Sequence, residues 1–134
     1  MEVLASVGAR IVGIGTDLAE VDRIAQSIER FGSRFTSRIF TPAEIAFVES
    51  KANKAERYAA RFAAKEAGMK AVGTGWQHGV TWQDFEVTNL ASGAPTLQLR
   101  GKAAEFAARL GARHVHLSMT HAQTLAMAIV ILEA

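Results

Sequence analysis

Two carboxylates far apart in the chain are the residues best placed to do chemistry. Asp17 closes the run Gly13-Ile14-Gly15-Thr16-Asp17, and Glu66 lies within Arg61-Phe62-Ala63-Ala64-Lys65-Glu66-Ala67-Gly68-Met69-Lys70. Projected on a helix, Glu66 shares a face with Ala59, Phe62, Ala63, Met69 and Lys70, away from the stripe formed by Arg57, Arg61 and Lys65. A carboxylate on an apolar seam is costly unless a cation or a metal compensates it. Lys70, four residues on, offers an i,i+4 ion pair, which is a purely structural account of Glu66. The other account is chemical. Arg61, Lys65 and Lys70 flanking one inward carboxylate suit a phosphate-plus-magnesium site, because Mg²⁺ is held by one or two carboxylates and the phosphate oxygens of a substrate. Asp17 also reads two ways, as the N-cap of a following helix or as a site carboxylate, and a strand-to-helix turn admits both. The glycines ahead of it do not form a dinucleotide-binding loop: Leu18 stands where the third glycine belongs, and no βαβ unit follows.

The remaining polar candidates are weaker. His114 and His116 alternate by two and would share a sheet face, a spacing zinc could use, but no carboxylate or helix-spaced third ligand accompanies them in the sequence. His121, expected in the connection between the last two strands, is better placed to meet a ligand, and His78 reads as loop. Tyr58, Trp76 and Trp82 are not interleaved with basic residues as on a single-strand nucleic-acid platform, so core or interface packing accounts for each. Between Arg23 and Arg38 four arginines stand against the single Glu29, a patch that suits either an acidic partner or a solvated helix face.

The elements that must position these groups follow from periodicity. Residues 11–14 read as a short strand ending at Gly15, and Leu18, Val21, Ile24, Ala25 and Ile28 then take helical spacing up to Gly32. Thr41-Pro42-Ala43-Glu44 is a helix start with a capping box, and that helix ends near Ser50. A long Ala-rich helix runs from about Asn53 to Val72 and stops at Gly73-Thr74-Gly75. Strands are expected at 85–88 and 96–99 around the Ser92–Pro95 turn, a helix at 101–110, and two strands at 114–119 and 125–132. The last of these lacks alternation, which places it in a doubly buried position or at a subunit contact. The order predicts an α+β fold with a largely antiparallel sheet.

At 134 residues the chain is one domain, residues 1–134, of ordinary globular composition, 49% hydrophobic and 21% charged. It has no cysteine, which removes disulfide, CxxC and thiolate-zinc chemistry and is compatible with a reducing cytoplasm. A net charge of +2 does not by itself argue for nucleic acid. The start MEVLASVGAR, with Glu2 and no basic stretch before an apolar core, does not read as a signal peptide. The run Leu125 to Leu132 is far short of the ~20 residues of a membrane-spanning helix, so no membrane partner is expected.

Taken together, the blocks IVGIGTDLAEVDRI (11–24), RFTSRIFTPAEIAF (34–47), YAARFAAKEAGMKAVGTG (58–75), SGAP (92–95) and HLSMTHAQTLAMAIVILE (116–133) resemble the holo-[acyl-carrier-protein] synthases, the small bacterial phosphopantetheinyl transferases, over nearly the whole chain. The resemblance implies the phosphopantetheinyl transferase fold, with the sheet packed against a long central helix. It implies transfer of the 4′-phosphopantetheine group of coenzyme A to a serine of apo-acyl carrier protein, as in fatty acid biosynthesis, with release of adenosine 3′,5′-bisphosphate. In its terms Asp17 and Glu66 hold Mg²⁺, and Lys65 and Lys70 face the phosphates as catalytic groups beside Glu66. Arg61 and His121 contact coenzyme A, and Arg23 docks the carrier protein. Ala94 replaces a basic residue common before the turn proline. The resemblance further implies a homotrimer with sites between neighbouring subunits and no nucleic-acid partner. Two other readings of the same residues remain: a non-catalytic module binding acidic partners through the Arg23–Arg38 region, and a metal-dependent hydrolase acting on a pyrophosphate.

Overall fold

The computed structural model describes residues 10–134; the N-terminal stretch around Glu2 lies outside them. Along the chain run β1 (Ile11–Glu20), α1 (Val21–Phe31), α2 (Ser33–Ile39), α3 (Pro42–Glu49), α4 (Lys54–Val72), a 3₁₀ turn at Trp82–Asp84, β2 (Phe85–Asn89), β3 (Pro95–Leu99), α5 (Gly101–Arg109), β4 (His114–His121) and β5 (Leu125–Glu133). Strands β1, β5 and β4 form an antiparallel sheet in that spatial order, and β2 and β3 form an antiparallel pair. This is the α+β arrangement expected, with α4 laid across the three-stranded sheet.

Small side chains allow that packing. The buried stripe Ala63, Ala64, Ala67 and Ala71 of α4 meets Ala126 and Ala128 of β5 and the glycines of β1 in one core. At Gly15 an added Cβ would run into the Ala67 carbonyl oxygen and lie 2.7 Å from the Ala71 amide nitrogen; at Gly13 it would strike the Ala71 carbonyl oxygen. These glycines serve backbone-to-backbone contact between strand and helix, and no turn is made there.

That corrects the expected end of the first strand. Pairing with β5 continues through Thr16–Ile129, Asp17–Ala128 and Leu18–Met127 to Glu20–Leu125. Asp17 is therefore a mid-strand residue, and the expected N-cap role is not its own: α1 begins at Val21, and its N-cap, Glu20, makes no side-chain cap bond. Leu18 does not join the apolar face of α1 but stands exposed on the sheet. Gly32, at φ +56°, then divides the arginine-rich stretch into two helices, and the second, α2, has no counterpart in the sequence reading.

Other elements fall where expected. Thr41 and Glu44 form a reciprocal capping box with Pro42 in the first turn of α3, and α4 stops at left-handed Gly73. Strand β4 runs on to include His121, which was expected in the connection. In β5 burial alternates: Ala126, Ala128, Val130 and Leu132 are buried, whereas Leu125 and Met127 are exposed and Ile129 and Ile131 half-buried. Within one chain the strand is thus buried on a single face, correcting the doubly buried alternative. No helix of the described residues is long and apolar enough to cross a membrane.

Candidate active site

The close approach of α4 to β1 brings Asp17 beside the end of the helix. Lys70 Nζ donates to Asp17 Oδ1 at 2.9 Å and to the Thr16 carbonyl oxygen at 2.9 Å. Lys70 is thereby taken from Glu66 and given to Asp17, so the local i,i+4 pair is not the main use of either residue. Glu66, one turn earlier, is half-buried. Burial pushes its carboxyl above the ordinary range, and the Asp17 charge pushes the same way; the Trp82 indole and Lys70 oppose them. The exposed lysine thus pairs with Asp17, and the Asp17 charge is felt at Glu66. Both present hard oxygen donors, and one negative charge is left over, a set that fits a divalent cation whose remaining ligands are substrate oxygens and water.

Lys65 corrects the expectation that it lies beside Glu66 facing a phosphate. One residue is a step of about 100° around a helix. Its ammonium is wholly buried, paired with Glu44 Oε1 at 2.7 Å and donating to the carbonyl oxygens of Trp82 and Phe85. Burial holds the Lys65 pKa below its ordinary value, against the Glu44 charge that raises it. Glu44 in turn accepts from the Thr41 and Val87 amides, both at 2.9 Å, so the pair ties α3, α4 and β2 together.

Arg61 also lies away from Glu66. Its guanidinium stacks 4.6 Å from the centre of the Phe47 ring, and its buried Nε has no acceptor. Burial lowers its pKa first, and Glu44 acts against that. It shares a cavity of about 190 Å³ with Phe47, Arg57, Ala60, Asn89, Pro95, Met119 and His121. His121 Nδ1 is 3.0 Å from Glu56 Oε1. Three basic side chains, Arg57, Arg61 and His121, around one hollow are a fit for phosphate oxygens. Pro95 lines that hollow, which sets Ala94 next to its rim.

These two clusters occupy different flanks of α4. Five residues separate Arg61 from Glu66, a rotation of about 140°. Asp17 sits on edge strand β1 and His121 on edge strand β4, with β5 between them. The structure therefore brings Lys70 to Asp17, with Glu66 one helical turn away, and separately lines one hollow with Arg61 and His121 on the other flank.

Arg23 is exposed on α1, 3.6 Å from Glu20, and lines a hollow of about 460 Å³ with Leu18, Ile24, Phe35, Phe62 and Leu125. Phe62 precedes Glu66 by one helical turn, so this hollow approaches the carboxylates. Arg30 and Arg34 both lie over the Phe31 ring, and Arg38 over Trp82. His116 meets Glu133 Oε1 at 3.2 Å, a carboxylate that the sequence did not place near it, and this contact holds the Glu133 carboxyl below its ordinary value. Among the described residues no three His, Cys, Asp or Glu side chains are grouped to hold a metal. Sequence reasoning missed Glu44, visible only as a cap but here the buried partner of Lys65, whereas Trp82 packs edge-on to Trp76 in line with its reading as a packing residue.

Residues 13–130 match the family model of the 4′-phosphopantetheinyl transferase superfamily. The chain is 68% identical over 123 residues to a holo-[acyl-carrier-protein] synthase of Solibacter usitatus, covering 92% of this chain and 98% of that one. Its fold is similar to the crystal structure of holo-[acyl-carrier-protein] synthase from Neisseria meningitidis, with a TM-score of 0.84 and 34% identity over 92% of this chain and 99% of that one. It also resembles the Bacillus anthracis holo-(acyl-carrier-protein) synthase solved in complex with CoA (3′,5′-ADP), with a TM-score of 0.78 and 38% identity over 94% and 99% of the two chains.

Proposed function

The chain belongs to the 4′-phosphopantetheinyl transferase superfamily, and from that premise we propose that it acts as a holo-[acyl-carrier-protein] synthase built around Asp17 and Glu66. The reaction moves the 4′-phosphopantetheine group of coenzyme A onto a serine of apo-acyl carrier protein, and adenosine 3′,5′-bisphosphate leaves. The observation that carries the assignment of the site is the Lys70 ammonium 2.9 Å from Asp17 Oδ1, which sets Asp17 one helical turn from Glu66 although the two carboxylates are 49 positions apart.

Each cluster has a separate task. Asp17 and Glu66 would hold Mg²⁺, which when bound polarises the reacting phosphoryl group and offsets its charge. Lys70, already beside Asp17, is the cation free to turn toward phosphate oxygens as charge builds on them. Lys65 acts from behind the site by fixing α4 against β2, in place of the phosphate contact expected of it. Arg61 and His121, with Arg57 beside them, bind the phosphates of coenzyme A in the hollow they line. The serine hydroxyl needs alignment and a proton acceptor more than covalent help. Glu66 supplies a carboxylate acceptor for that proton.

Acyl carrier proteins are acidic, so Arg23 and its basic neighbours supply steering toward the hollow that ends near Glu66. The open apolar side of the β1–β5–β4 sheet supports a homotrimer, since such faces are covered by a second copy in oligomers. A cytoplasmic location agrees with a cysteine-free chain and this substrate pair.

The test is to mix the protein with coenzyme A, Mg²⁺ and apo-acyl carrier protein and weigh the carrier by mass spectrometry. One added phosphopantetheine group is expected, and Asp17→Ala and Glu66→Ala should each slow its appearance by about 10²–10³-fold while leaving the circular dichroism spectrum unchanged. Consumption of coenzyme A without any carrier would turn the assignment toward a pyrophosphate hydrolase. Salt-sensitive carrier binding indifferent to coenzyme A would favour the non-catalytic module.

A further inference from the structure

His121 meets the hollow beside Arg57 and Arg61 with one ring nitrogen already committed. Its Nδ1 lies 3.0 Å from Glu56 Oε1, whereas Glu56 itself does not line that hollow. An ionised carboxylate only accepts hydrogen bonds, so the nitrogen facing it carries the proton. That leaves Nε2, which has no protein partner among the described residues, as the nitrogen available to a ligand. The contact joins the first turn of α4 to the end of β4 across 65 positions, so the fold makes it and local sequence does not. The Glu56 side chain is only 19% exposed, which keeps competing water from most of it.

Glu56 looks misplaced on charge alone. A carboxylate next to a hollow for phosphate repels what the hollow binds. Its place in the first turn of a helix gives it a structural use, since the helix dipole favours an acid there. The bond to Nδ1 gives it a second. Phosphate oxygens accept, so one can bond to Nε2 only when that nitrogen carries a proton too. The ring is then a cation, and Glu56 offsets its charge from the side away from the ligand.

We propose that Glu56 is a positioning residue for His121: it holds Nδ1–H, turns Nε2 toward the hollow and supports the imidazolium that phosphate oxygens require. This rests on the reading of the hollow as the coenzyme A phosphate site. As the nucleotide binds, one proton passes from solvent to Nε2, and no covalent bond of the ligand changes. The other charged groups lining the hollow are Arg57 and Arg61 of α4, and arginine does not lose its proton in proteins. Phe47 of α3, Asn89 of β2, Pro95 of β3 and Met119 of β4 do not titrate, which leaves His121 as the group there that does.

Adenosine 3′,5′-bisphosphate, titrated into the full chain by calorimetry at pH 6 and pH 8, brackets the ordinary histidine pKa of about 6.5. Glu56→Gln keeps the size of the side chain and removes its charge. At pH 8 E56Q should bind the nucleotide about tenfold more weakly than the parent, and at pH 6, where imidazole takes up its second proton unaided, the gap should close to about twofold. Simple loss of a repelling charge predicts the opposite, tighter binding in E56Q at both pH values. His121→Ala should weaken binding about tenfold at pH 6, and beside it Glu56→Gln should weaken binding no further. If H121A loses affinity while E56Q matches or exceeds the parent at pH 8, the role of Glu56 is overturned and the phosphate site stands. If H121A binds the nucleotide undiminished, the assignment of His121 to that site falls and the proposal with it. Weakening in E56Q that is equal at both pH values, or that persists beside H121A, would make Glu56 a structural residue and overturn the proposal. Nitrogen NMR of the parent needs no variant to fold. Of the four histidine rings, one should respond to the nucleotide at pH 8, with Nδ1 protonated before binding and both nitrogens protonated after. No responding ring, or one whose Nδ1 is bare before binding or Nε2 bare after it, would also overturn the proposal.

Discussion

Glu66 is held in a setting that its own charge resists. Its pKa is raised above the ordinary 4.5, chiefly by burial and further by Asp17. A group whose pKa is higher folded than unfolded contributes its stability below the unfolded value and loses it as pH rises through the folded one. At neutral pH the metal-free protein therefore carries the whole penalty. Glu66→Gln should raise the melting temperature of the metal-free protein by a few degrees at pH 7–8, and the gain should vanish as pH falls below about 4.5. Added Mg²⁺ should stabilise the parent and not the variant. Calorimetric scans across pH would check both, and a less stable E66Q at every pH would make Glu66 a structural partner of Lys70. The site carboxylate was legible because helical projection put it on an apolar seam. The direction of Lys65 was not. A lysine one step from Glu66 looks equivalent in a string of letters, yet it turns about 100° away.

Among the elements, α4 is fixed by a buried ion pair, and this shapes what surrounds the site. Lys65 and Glu44 are both fully buried, and each uses its remaining hydrogen-bonding capacity on backbone of β2 or of the turns around it. Removing one member of such a pair strands the other, at a cost of about 3–5 kcal/mol. Lys65→Met should lower unfolding stability by about 3 kcal/mol, with part of the loss restored when Glu44→Gln is added. Urea titrations of the two variants measure this. A K65M protein of parental stability with kcat greatly reduced would return Lys65 to the phosphates, as the resemblance implied. The ends of α3 and α4 were legible because the capping box and the terminal glycine are local signals. The length of β1 was not, because a glycine that admits a neighbouring helix looks the same in sequence as one that makes a turn; only packing distinguishes them. The short α2 has too few residues to show a period.

Over the whole molecule, the proposed assembly would have to unite two half-sites and cover the exposed side of the sheet. Ile14 pairs with Ile131 and Leu18 with Met127 on the side of the sheet away from α4, and Ile14, Leu18 and Met127 are exposed in the single chain. Asp17 and Glu66 lie toward one edge of that sheet, Arg61 and His121 toward the other. A ring of copies would set the β1 edge of one against the β4 edge of the next and unite the halves. Mixing two crippled proteins tests this directly. Glu66→Gln lacks the metal half and His121→Ala the coenzyme A half, so each alone should transfer poorly at limiting coenzyme A. Co-refolded in equal amounts, they should form mixed rings in which about a quarter of the sites pair an intact Glu66 with an intact His121 from the neighbour. Activity should rise on mixing toward that fraction, and Ile131→Glu, placing a charge in the sheet face, should abolish both the rise and the assembly seen by sedimentation. If mixing restores nothing although sedimentation shows mixed assemblies, the two halves belong to one chain. The separation across β5 must then be bridged within a protomer by the length of coenzyme A itself.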